Sequence, residues 1–133
     1  MQKKLIIFIP SIEGGGVEKN LFIITNYLEN KINKISVVTV SNEFKKKFNN
    51  KINIVSPVAD FWNRIGRGKK FFVGSFLLFL EIIKDRNVLV FSFQGNIFCT
   101  LLCKLLGVKV VIRANSAPDG WLDSKFKHVL FQY

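Results

Sequence analysis

Three adjacent glycines, Gly14, Gly15 and Gly16, stand between an apolar run and a segment of helical periodicity, with Glu18 and Lys19 just beyond them. Glycines at such a junction admit positive φ and leave no Cβ between backbone and ligand, so several peptide N–H groups can converge on one anion. A helix beginning there adds the positive end of its dipole. The chemistry implied is phosphate binding. A dinucleotide-binding turn is a competing reading, with Gly14 and Gly16 as Gly-x-Gly, but Lys19 stands where a third glycine would allow close helix packing. A P-loop is disfavoured because no Gly-Lys-Ser/Thr follows. Glu18 falls in the first helical turn, where the dipole favours a carboxylate, so a structural role accounts for it at least as well as a catalytic one.

Two further groups could touch a ligand. Ser92, Gln94, Gly95 and Asn96 form a small polar turn after an apolar strand. Arg113, Asn115 and Ser116 follow another, where an arginine can pair bidentately with phosphate or an acidic sugar and Asn or Ser can bind sugar hydroxyls. The plainer reading of 113–121 is a solvated loop closed by Pro118 and Gly120. His128, the lone histidine, is better placed for surface or packing than for base catalysis. Cys99 and Cys103, four apart among Phe98, Leu101, Leu102 and Leu105, read as small buried hydrophobes. No paired carboxylates suggest a glycosidase, and no ligand cluster suggests a metal.

The chain carries 20 Lys plus Arg against 9 Asp plus Glu, a formal charge of +11, which calls for an anionic partner. Eight of these cations (Lys45, Lys46, Lys47, Lys51, Arg64, Arg67, Lys69 and Lys70) lie between positions 45 and 70 against the single acid Asp60, predicting a basic face. Nucleic acid is disfavoured, because the cations do not alternate with exposed aromatics along strands. Gln2-Lys3-Lys4 before an apolar run is not a signal peptide, since Pro10 and the glycines end the run and no small-residue cleavage site follows. The expected location is cytoplasmic.

These residues need a scaffold, and the apolar pattern supplies one. The run 5–9 suits a strand buried on both faces. Val17, Leu21, Ile24 and Leu28 repeat at helical spacing. Segments 35–40, 52–55, 88–93 and 108–112 read as further strands, and 71–84 and 97–106 as helices, the second closed by Gly107. The uncharged run 71–80 is ten residues, too short for a span that needs roughly 20. On helix 71–84, Phe76, Leu77, Leu80 and Ile83 are expected to pack on the sheet, leaving Phe71, Phe72, Phe79 and Ile82 outward. With Arg64, Arg67, Lys69 and Lys70 before them, those outward residues suggest peripheral attachment to an anionic membrane. The alternation of these elements predicts one Rossmann-like open parallel α/β sheet, order 3-2-1-4-5, with right-handed crossovers and helices on both faces. Its ligand crevice would open where the order reverses, between the turns at 11–16 and 92–96.

The stretch Ser11-Ile12-Glu13-Gly14-Gly15-Gly16-Val17-Glu18-Lys19 resembles the first glycine-rich loop of family 4 glycosyltransferases, retaining enzymes of the GT-B fold. The basic segment before an apolar helix, the turn with Ser92, Gln94, Gly95 and Asn96, and the Arg113-x-Asn115-Ser116 loop are similar to that family's N-terminal domain, over the whole of 1–133. The resemblance implies transfer of a sugar from a nucleotide-sugar donor to a glycan or lipid-linked acceptor, as in cell-envelope polysaccharide synthesis, on the inner face of the membrane. It implies that Gly14, Gly15 and Gly16 face the donor diphosphate, that Ser92, Gln94, Asn96, Arg113, Asn115 and Ser116 contact acceptor or donor, and that no metal or other cofactor takes part. Nothing in residues 1–133 matches the family's second domain, with its two glutamates in a spaced acidic motif. The sequence stops at Tyr133, within the expected helix after the fifth strand, so the fold is expected to be incomplete there and this polypeptide alone is expected to turn over no donor. A non-catalytic membrane-surface or interaction module, left from a truncated glycosyltransferase, is the alternative.

Overall fold

We describe residues 3–12 and 15–113 of a computed structural model of the chain. Five strands, β1 (Lys4–Phe8), β2 (Ile35–Val38), β3 (Asn53–Val55), β4 (Val88–Ser92) and β5 (Lys109–Ile112), alternate with the helices α1 (Gly16–Leu28), α2 (Arg67–Lys84) and α3 (Asn96–Leu106). Every strand pair is parallel, and the order is β3-β2-β1-β4-β5, as the sequence predicts. The carboxyl ends are level: the rung Val55, Val38, Phe8, Ser92 and Ile112 crosses the whole sheet.

Both faces of β1 are covered. Leu5, Ile7 and Ile9 pack with Leu21 and its neighbours on α1, while Ile6 and Phe8 pack with Leu78 and Ile82 of α2 and Cys99 and Cys103 of α3. Ile6, Ile7, Phe8 and Ile9 are fully buried, each contributing roughly 1.5–3 kcal/mol of transfer free energy. The two cysteines are buried in the same core, and the neighbouring Cys103 thiol together with burial pushes the Cys99 thiol up.

Some boundaries differ from the sequence reading, for local reasons. Strand β1 ends at Phe8 because Pro10 has no N–H to continue a ladder, yet Val40 N–H still donates to the Pro10 carbonyl at 3.0 Å. Helix α2 begins a turn earlier than 71, taking Arg67, Gly68, Lys69 and Lys70 into its first turn, with Lys70 N–H bonded to Gly66 O at 3.1 Å. At the ends of α3, Gly95 (φ 65°) and Gly107 (φ 70°) hold left-handed conformations that only glycine adopts without strain.

Candidate functional site at the carboxyl edge of the sheet

Just past the level rung, the loops leaving β1 and β4 lie on either side of the point where strand order reverses. Open α/β sheets place ligands in that crevice. The wall between them is tight: a Cβ built on Gly95 would sit 3.4 Å from the Phe8 ring and 3.9 Å from Pro10 Cγ, and Gly74 of α2 meets the same proline from the other side.

On the β1 side, Ser11 and Ile12 are buried and Ile12 N–H donates to Ser41 Oγ at 3.0 Å. Gly15 caps α1 and Gly16 opens it, both exposed, and nothing lies within 4 Å of a Cβ built on Gly16. Glu18 is buried and folds back, its Oε2 3.0 Å from where a Gly15 Cβ would stand. The helix end therefore already holds one carboxylate near its positive pole, and an incoming anion must share that pole with it. Gly14 lies outside the described residues.

On the β4 side, the candidate residues divide. Ser92 is fully buried, with Oγ 2.9 Å from both the Gln94 carbonyl and Asn96 Oδ1. Asn96 Nδ2 donates to the Arg113 carbonyl at 3.0 Å, and Arg113 N–H donates to Ser92 O at 3.0 Å. Ser92 and Asn96 thus fasten the β4 turn to the end of β5. Their polar side-chain atoms are engaged inside the protein, which holds the turn in place beside the end of β5. Gln94 and Arg113 differ: Gln94 Oε1 and Arg113 Nη1 are buried atoms with no hydrogen-bond partner among the described residues. The Arg113 guanidinium lies over the Phe93 ring, 5.5 Å from its centroid. Asn115, Ser116 and His128 lie outside the described residues.

The basic segment also divides. Arg64, Arg67 and Lys69 are exposed, as expected of a membrane-facing group. Lys70 is not: it is 5% exposed and donates to Ser41 Oγ at 3.0 Å. The α2 face that carries it turns inward, unlike the face of the three exposed cations. The packing stripe of α2 is Lys70, Gly74, Leu78 and Ile82, so Ile82 is core, not outward. Phe72, Phe76, Leu80 and Ile83 are the exposed side, with Phe72 at 73%. Phe76, Leu80 and Ile83 were the expected packing residues, and the helix is rotated from that reading because Gly74, having no side chain, is what meets Pro10.

Helix α3 adds to that exposed side. Its Ile97, Phe98, Leu101 and Leu105 are exposed, and Phe72 and Phe98 meet with ring centroids 6.1 Å apart. A cavity of about 270 Å³ lies at the opposite, amino edge, lined by Lys3, Lys4, Leu5, Lys31, Ile32 and Leu89. It is remote from the loops that carry the candidate residues. Among the described residues no helix is long and apolar enough to cross a membrane, and no three metal-binding side chains cluster.

Fold and loop placement together define a Rossmann-like α/β domain with its polar residues gathered at the topological switch point. Compared with protein-family models, curated proteins and solved structures, the chain matches none of them.

Proposed function

We propose that this chain is the acceptor-side domain of a family 4 glycosyltransferase, a retaining enzyme moving sugar from a nucleotide donor to a lipid-linked or other glycan acceptor. The observation that carries the reading is the pair of unmet polar atoms, Gln94 Oε1 and Arg113 Nη1, at the switch point across from the exposed Gly15-Gly16 turn. Backbone amides of that turn would stabilise negative charge growing on the leaving diphosphate, a role fixed dipoles perform without reorganising. Arg113 would pair with a phosphate or acidic sugar oxygen, and Gln94 Oε1 would accept from a sugar hydroxyl. No metal is required of these residues.

Titration of ¹⁵N-labelled protein with UDP- and GDP-sugars tests it. Saturable shifts are expected at the Gly15, Gly16 and Arg113 amides, weakened about tenfold in Arg113→Gln, the scale of one charge-assisted hydrogen bond. Gly15→Val, which drives a side chain against Glu18, should abolish them. Fixed loop amides while another region moves would place the ligand elsewhere.

We further propose that the domain works on the inner face of an anionic membrane, through the apolar α2–α3 side. Arg64, Arg67 and Lys69 flank it, each worth about 1 kcal/mol near acidic lipid. Co-sedimentation with vesicles of phosphatidylcholine and phosphatidylserine should show binding that falls with salt. Arg64→Gln/Arg67→Gln/Lys69→Gln should lose most of it, and Phe72→Ser/Phe76→Ser should lose it even at low salt. Unchanged binding of both variants would contradict the proposal.

A further inference from the structure

We propose that Lys70 and Ser41 form an oxyanion site behind the first loop, suited to a phosphate-type anion and independent of any sugar recognition. An ammonium group has three donors, and Lys70, at 5% exposure, uses one of them on Ser41 Oγ. Buried ammonium groups ordinarily sit against a carboxylate or several acceptors. Among the described residues both ion pairs centre on Glu81, three turns further along α2, and none reaches Lys70.

Ser41 sharpens the point. It is buried, and its oxygen accepts from both Ile12 N–H and Lys70 Nζ, so its lone pairs are occupied and its own proton is left to donate. Among the described residues no acceptor is bonded to that proton or to the remaining Lys70 donors. Three donors from two side chains therefore converge without an acceptor, on a scaffold fixed from three elements. Ile12 belongs to the β1 loop, Ser41 follows the Ser41 N–H to Thr39 Oγ1 bond of 3.2 Å after β2, and Lys70 belongs to α2.

The surrounding field has the matching sign. The first turn of α2 contains no acidic residue and no side-chain cap, and it carries Arg67 and Lys69 besides Lys70. At α1, by contrast, Glu18 brings its own carboxylate to the helix end. Of the two helix ends facing the β1 loop, α2 is the one left with uncompensated positive charge. A tetrahedral anion with several oxygens satisfies three convergent donors together, which a single carbonyl oxygen cannot do.

The test uses the full chain at constant ionic strength, titrated with inorganic pyrophosphate, inorganic phosphate and acetate, reading the Ile12, Ser41 and Lys70 amides. Saturable shifts with pyrophosphate, weaker with phosphate and absent with acetate, are expected. Lys70→Met, which keeps the length of the side chain, should weaken pyrophosphate at least tenfold, and Ser41→Ala provides a second variant should the first unfold. Arg64→Gln should stay within twofold of wild type. Absence of saturable shifts in the wild type, equal affinity in Lys70→Met, or equal loss in the surface-arginine variant would each overturn the proposal. Pyrophosphate shifts at Ile12 with no nucleotide-sugar shifts at Gly15 would leave this site standing and remove the glycosyltransferase reading, and the reverse pattern would do the opposite.

Discussion

Gly74→Val is expected to lower the unfolding free energy by about 3 kcal/mol, the upper range for overpacking a close contact. The Cβ of any residue at 74 would fall 2.7 Å from Pro10 Cβ and 3.3 Å from Pro10 Cα, and the ring of Phe8 closes the third side at 3.4 Å. Neither the proline ring nor the backbone behind it can swing away, since Pro10 O accepts from Val40 N–H and Phe8 is fully buried. Relief requires α2 to retreat from β1, which opens the contacts of Leu78 and Ile82 one and two turns on. Gly74→Ala separates the steric term from helix propensity. Alanine favours a helix by roughly 1 kcal/mol over glycine, yet it introduces the same offending atom, so a net loss of about 1–2 kcal/mol is expected. Gly68→Ala is the control: a Cβ there meets nothing within 4 Å, and a gain of about 0.5 kcal/mol is expected. Urea unfolding curves for the three variants decide it. Gly74→Ala at or above wild-type stability would mean that α2 does not rest on β1 in the way described.

The same glycine explains where sequence reading succeeded and where it stopped. Strand order followed from the alternation of β-branched runs with helical stripes, because parallel strands need crossovers and crossovers are right-handed. The Gly107 stop and the burial of Cys99 and Cys103 were legible for similarly local reasons. The orientation of α2 was not, because periodicity weighs side-chain hydrophobicity and a glycine carries none. Lys70 was read as a surface cation on the strength of its neighbours, and only the fold brings Ser41, 29 residues away, beneath it. The engagement of Ser92 and Asn96 is hidden in the sequence for the same reason: the Arg113 carbonyl that accepts from Asn96 is 17 residues further on. Polar residues near a strand end are visible in sequence, whereas the atoms that already satisfy them are not. Buried atoms without a partner among the described residues, such as Gln94 Oε1 and Arg113 Nη1, are visible only in three dimensions.

Glu81→Gln is expected to cost about 2 kcal/mol at neutral pH, and the loss should disappear in acid. Glu81 is buried on α2, with Lys4 of β1 at 3.0 Å and Lys84 at 2.8 Å. Burial by itself pushes its carboxyl up, but the hydrogen bonds from Lys84 and Lys4 and the attraction of both ammonium groups outweigh it and hold the group below its ordinary 4.5. A carboxyl depressed on folding stabilises the protein fully above the unfolded value, and the contribution is lost as pH falls through the lower, folded value. Wild-type stability should therefore decline from about pH 5 downward more steeply than that of Glu81→Gln, and the two should converge once the pH is below the lowered, folded value. The two lysines are unequal. Lys4 has a side chain 18% exposed and joins elements 77 residues apart, whereas the Lys84 side chain is 69% exposed and pairs within its own helix. Lys84→Met should thus cost less than about 0.5 kcal/mol, the range of exposed pairs. Lys4→Met should cost more, because it removes the one partner that ties the carboxyl end of α2 to the start of the central strand. Urea unfolding of these variants across the pH range measures each term. Parallel pH profiles for wild type and Glu81→Gln would show that the carboxylate does not couple α2 to β1.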